Sequence, residues 1–202
     1  MSSSFAAPGQ PLVLADLVAA GSRAREVALV VAGAGLVGIC AQVSVPLPFT
    51  PVPLTLQTFA VLLAGAALGW QRAVPSMLLY LVAGAAGVPW FAAGSSGTAA
   101  PSFGYIVGFV LAAAVVGRLA GSGADRTPVR TFALMVLGSA LIYLVGVPWL
   151  AVALDVGAAE AVALGLTPFL AGDAVKALLA AGLLPGAWRL VGDQRRSGPA
   201  GR

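Results

Sequence analysis

Long apolar runs separated by short polar or proline-rich connections dominate this chain and divide it into six segments, at about 26–45, 56–69, 73–88, 104–120, 130–153 and 168–190. Runs of this length and apolarity predict an all-α integral membrane protein with six transmembrane helices. The second and third fall short of the roughly 20 residues that a bilayer-crossing helix needs, which predicts a helix broken near the outer face. The run Val45–Gly69 joins the end of the first segment to the second: prolines 46, 48, 51 and 53 withhold backbone donors and forbid a continuous helix, with no charge nearby, and the proline-rich part leads straight into the apolar second segment. Non-helical backbone at membrane depth persists only where protein or a water-filled cavity satisfies its polar groups. The segment therefore reads as an external re-entrant loop capping a binding site.

Residues 1–25 read as a cytoplasmic leader. Its apolar stretch is interrupted by Asp16 and followed, rather than preceded, by Arg23 and Arg25, the wrong polarity for a cleavable signal. Residues 26–191 then form the six-helix membrane domain and 192–202 a basic cytoplasmic tail.

Composition supports the class: 59% of residues are hydrophobic and only 9% charged, against about 25% charged in soluble domains. A net charge of +4 would point to nucleic acid in a soluble protein. Here the arginines cluster instead at both ends and in two connections, at Arg72 and at Arg118, Arg126 and Arg130. Connections 46–55 and 89–103 carry no charge, and 154–167 carries only Asp155 and Glu160. The positive-inside rule then puts both termini in the cytoplasm of a multi-pass plasma-membrane protein, with no nucleic-acid partner.

Chemistry is excluded almost as firmly. There is no histidine and one cysteine, Cys40, so the usual triads, a disulfide within the chain and a multi-cysteine metal site are all absent. Gly33–Gly38 matches GxGxxG, yet it lies mid-span with no preceding strand and no acidic residue between Glu26 and Asp125. No phosphate-binding loop occurs, and no cofactor is expected.

Two features remain. Asp173 and Lys176 stand three residues apart inside the last apolar segment, hence on one helix face, and Lys176 is the only lysine in the chain. Intramembrane charges cost roughly 2.5–3.5 kcal/mol each on insertion scales and mark functional sites by default; a helix-tying ion pair or a snorkelling lysine is the plainer account. Gln57, Thr55, Tyr80, Trp90 and Tyr105 collect on the presumed outer side, as pocket walls or as an interfacial belt, and Ser95 and Ser96 sit in a Gly-Ser turn suited to an anion or to flexibility alone. Ala24, Ala28 and Ala32 form a smooth stripe, open equally to a partner helix and to packing within the bundle.

The blocks TPVPLTLQTFAVLLAGAALG (50–69), GVPWFAAG (87–94), PSFGYIVGF (101–109) and PFLAGDAVK (168–176) resemble the BioY family, the biotin-specific substrate-binding components of energy-coupling factor (ECF) transporters. The resemblance spans about 26–187. It implies a six-helix protein that captures biotin with high affinity from outside, with the first external loop as cap. It also implies partners: a transmembrane coupling subunit meeting the small-residue face of the first helix, and two cytoplasmic ATPases. By matching motif, Asp173 and Lys176 contact the ureido ring. The family's Gly-Pro-Thr-Gly-Gly-Tyr is here Ala100–Tyr105, APSFGY, and no arginine or lysine lies between Arg72 and Arg118 to pair with a ligand carboxylate. Rival readings are a component for another vitamin and a small-solute facilitator or channel.

Overall fold

The computed structural model describes residues 13–17 and 22–197. Among them run α1 (Arg23–Gln42), β1 (Ser44–Leu47), β2 (Thr50–Thr55), α2 (Gln57–Leu68), α3 (Trp70–Ala85), α4 (Phe103–Gly121), α5 (Pro128–Leu154), α6 (Ala158–Gly165) and α7 (Leu170–Ser197). Each of the six expected apolar segments is helical over most of its length. Residues 23–25, assigned above to the leader, form the first turn of α1, where the Ser22 hydroxyl accepts from Arg25 N at 3.3 Å. Residues 192–197 continue α7 rather than starting a separate tail.

Among the described residues, four stretches are long and apolar enough to cross a membrane: α1, α4, α5 and the run Ala158–Leu190 that joins α6 to α7. Helices α2 and α3 have 12 and 16 residues. At 1.5 Å per residue they rise about 18 and 24 Å, short of a hydrocarbon core of roughly 30 Å. Gly69, at φ 74°, turns directly from α2 into α3. Only a residue without a Cβ takes that conformation without strain.

The proline-rich segment is not an irregular loop but an antiparallel hairpin, with Ser44 opposite Thr55, Val45 opposite Leu54 and Leu47 opposite Thr50. Its register slips between Val45 and Leu47, at Pro46, which has no amide to give the ladder. This pairing also ends α1 at Gln42, three residues before the expected boundary. The connection 154–167, read above only as a connection carrying Asp155 and Glu160, contains a short helix, α6. Asp155 closes α5 in the left-handed region at φ 54°, and Gly157 leads into α6.

Helix α4 lies at the centre and packs against α2, α3 and α5, while α7 packs on α5 and α2, and α1 on α3. Close approach explains its small residues. A Cβ on Gly108 would stand 2.9 Å from the Ile142 carbonyl oxygen, so only glycine lets α4 and α5 come together there. At one end of the bundle, Arg72 ties Glu26 (2.5 Å) and Asp16 (2.7 Å), holding residues 13–17 against α1 and α3. Also in a connection, between α4 and α5, Asp125 is fully buried and accepts from Trp188 Nε1 at 2.6 Å, with Arg126 stacked 4.1 Å over the Trp188 ring. Burial pushes the Asp125 carboxyl above its ordinary range, an effect opposed by the Trp188 bond. Its other oxygen has no hydrogen-bond partner among the described residues.

Removing the indole donor should therefore be costly. Trp188→Phe is expected to destabilise the protein by about 1–3 kcal/mol, the cost of an unsatisfied buried acceptor, read as a lower melting temperature in detergent.

Candidate functional site

The hairpin and helices α2, α4, α5 and α7 surround a partly open cavity. Its walls are apolar where β2 contributes Val52, Pro53 and Leu54, and α4 contributes Ile106 and Phe109. Phe169 adds an aromatic edge just before α7. The polar groups in the lining are Thr55, Gln57, Thr58, Ser102, Tyr105, Tyr143, Asp173 and Lys176. An apolar cleft with a few convergent polar groups is the usual form of a small-molecule site.

Asp173 and Lys176 lie on successive turns at the start of α7, and Lys176 Nζ donates to Asp173 Oδ1 at 3.1 Å. Nζ also donates to Thr58 Oγ1, 2.8 Å away on α2. The Tyr143 hydroxyl, from α5, donates to Asp173 Oδ2 through a short hydrogen bond. Helices α2, α5 and α7 are thus joined through one buried carboxylate, 9% exposed. Capacity remains. An ammonium has three donors and two are used here, while each carboxylate oxygen keeps a further lone pair. The site can give one strong donor and take two.

Gln57, at the N-terminus of α2, is held from both sides. Thr55 Oγ1 accepts from Gln57 N at 3.2 Å and donates to Gln57 Oε1 at 3.1 Å, and Gln57 Nε2 donates to the Tyr80 hydroxyl at 2.7 Å. The Tyr80 hydroxyl in turn donates to Trp90 O at 3.0 Å, and Trp90 Nε1 donates back to Tyr80 O at 3.0 Å. Tyr80 and Trp90 therefore stand behind Gln57 and do not line the cavity. Tyr105 does line it, with its hydroxyl donating to Gly165 O at 2.8 Å at the end of α6.

Ser95 and Ser96 are exposed and lie away from the cavity wall. Positive φ at Ala93, Gly94 and Gly97 folds their loop onto itself, and three of the four amides from Gly94 to Gly97 are already used: Gly94 N to Phe91 O, Ser95 N to Ala92 O and Gly97 N to Gly84 O. On α1 the small residues separate by face. Gly33, Ala34 and Gly38 are buried, with Gly33 against Ser76 of α3, whereas Ala24, Ala28 and Ala32 are all exposed.

Sequence reasoning placed neither Tyr143 nor Thr58 in the site. A tyrosine within the apolar run of α5 has no spacing to mark it. The one available signal was the need of a buried carboxylate for a second donor besides Lys176.

A helical membrane bundle with a hairpin-covered, polar-floored cavity and an intramembrane ion pair is the architecture of a small-solute-binding membrane component. The chain belongs to the BioY family, whose model matches residues 13–193. A probable biotin transporter BioY of Pyrococcus horikoshii is 41% identical over 161 residues, 78% of this chain and 93% of that protein. The biotin transporter BioY of Thermotoga maritima is 34% identical over 149 residues, covering 72% and 85%. A crystal structure of the S-component for biotin from an ECF-type ABC transporter superposes with a TM-score of 0.70 at 21% identity, over 89% of this chain and 96% of that one. The fold is thus that of an S-component, and the protein is a multi-pass membrane protein.

Tyr143→Phe leaves Asp173 Oδ2 without its donor. The variant is expected to lose about 1–3 kcal/mol of stability, measured by thermal unfolding in detergent without ligand.

Proposed function

We propose that this chain is the biotin-binding S-component of an ECF-type uptake transporter. The observation that carries the reading is the buried Asp173–Lys176 pair on the cavity floor, with donor and acceptor capacity still free. A cyclic urea offers two N–H donors and one carbonyl acceptor; a carboxylate takes the first and an ammonium serves the second. Neither residue alone does both. The apolar walls suit the thioether ring and the aliphatic tail, and Gln57, Thr55 and Tyr105 supply the polar contacts above the floor. Tyr80 and Trp90 act by bracing Gln57.

The hairpin is the external cap, and the bundle crosses the bilayer six times with both termini in the cytoplasm. The short helices α2 and α3 reach across with help from the hairpin and the 86–102 connection. Capture and handover are the whole activity. Movement of biotin inward is driven by a transmembrane coupling subunit, seated on the exposed Ala24, Ala28 and Ala32 stripe, and by two cytoplasmic ATPases. The setting is a prokaryotic plasma membrane.

Biotin binding by the detergent-purified protein tests this directly. Wild type is expected to bind biotin tightly, and Asp173→Asn and Lys176→Met to lose at least about 2 kcal/mol each, within the 1.5–3 kcal/mol range of a charged hydrogen bond. Thiamine serves as the control vitamin. Tight thiamine binding without biotin binding gives the component another vitamin, and equal binding by the variants returns the pair to a purely structural role.

A further inference from the structure

Cationic side chains are distributed very unevenly with respect to the cavity. No Lys or Arg occurs in 26–71, 73–117 or 131–175, and Lys176 stands alone until Arg189. Every residue that lines the cavity, apart from Lys176 itself, is drawn from these stretches, so Lys176 is the one cation in its lining. That ammonium is committed to Asp173 Oδ1 at 3.1 Å and Thr58 Oγ1 at 2.8 Å. The floor therefore has no net charge. The loop between α3 and α4 offers no substitute for a second cation, because three of its four amides from Gly94 to Gly97 bond within the protein. The only charges in the connection between α5 and α7 are Asp155 and Glu160, both exposed and both of the wrong sign for an anion.

Resting on the reading of the floor as the ureido site, we propose that the site does not recognise the ligand's carboxylate as an anion. It binds biotin derivatives whose tail ends in an uncharged amide or ester as well as it binds biotin itself. Apart from Asp173 and Lys176, every residue that lines the cavity is neutral, Ser102, Thr55 and Gln57 supplying polar groups among them. A hydroxyl or side-chain amide donates as readily to an amide or ester carbonyl as to one carboxylate oxygen. With no charge partner, the desolvation of an ionised tail is uncompensated, which removes the usual advantage of the acid over its neutral derivatives. The substrate class thus extends to amide-linked biotin.

Equilibrium binding of biotin, biotinamide and biotin methyl ester to the wild-type protein in detergent decides the matter. Both neutral derivatives are expected within about five-fold of biotin, since no pair of opposite charges is lost with the acid. A larger loss for either derivative shows that a group in the site reads the anion, Lys176 being the first suspect, and overturns the proposal. A fully desolvated charge pair would separate acid from amide by about 30-fold or more. Failure of biotin itself to bind strikes the ureido-site reading, so the two failures are distinguishable.

Discussion

An ionised carboxylate cannot remain in an apolar bundle unless its lone pairs are met, and Asp173 organises its surroundings accordingly. Lys176 meets it from one turn further along α7, Tyr143 from α5, and Thr58 of α2 holds the ammonium in place. Three helices that share few sequence features are thereby fixed at one level. The desolvation penalty is offset only while all four groups stay together, so the site and the local bundle geometry stand or fall as a unit.

Around that level the other layers follow from similar constraints. Gln57 is immobilised by Thr55 and by the Tyr80–Trp90 exchange, so its amide is oriented before any ligand arrives. Tyr105 presses edge-on against Tyr143, centroids 6.2 Å apart, and pins the end of α6 through Gly165. Thr50 of the hairpin donates to Leu164 O of α6 at 2.8 Å. The cover, the short helix and the floor are therefore connected by single, identifiable bonds.

Much of this was legible in the residues. Apolar runs located the helices, because a membrane-spanning helix must be apolar over most of its length, and the lone Lys176 beside Asp173 marked the floor. The hairpin was hidden by its prolines, which argue against a strand except at an edge, and both strands of a two-stranded ribbon are edges. Helix α6 was hidden because Asp155 and Glu160 gave its stretch the look of a solvated connection. Tyr143 could not be found from one chain, since its role depends on α5 and α7 lying side by side. Tyr80 and Trp90 were legible as a pair near the cavity but not as its second layer, because burial behind another side chain leaves no trace in spacing.

The register slip at Pro46 also bears on time. A two-stranded ribbon has marginal stability of its own, and this one lacks ladder donors at Pro46, Pro51 and Pro53. Segments with few ladder bonds of their own sit at the low end of local stability in a folded protein. With the hairpin as the proposed cap, entry and escape of a solute would follow a few hydrogen bonds while the depth of the energy well is set by the floor, so that rate and affinity would be governed by different parts of the chain.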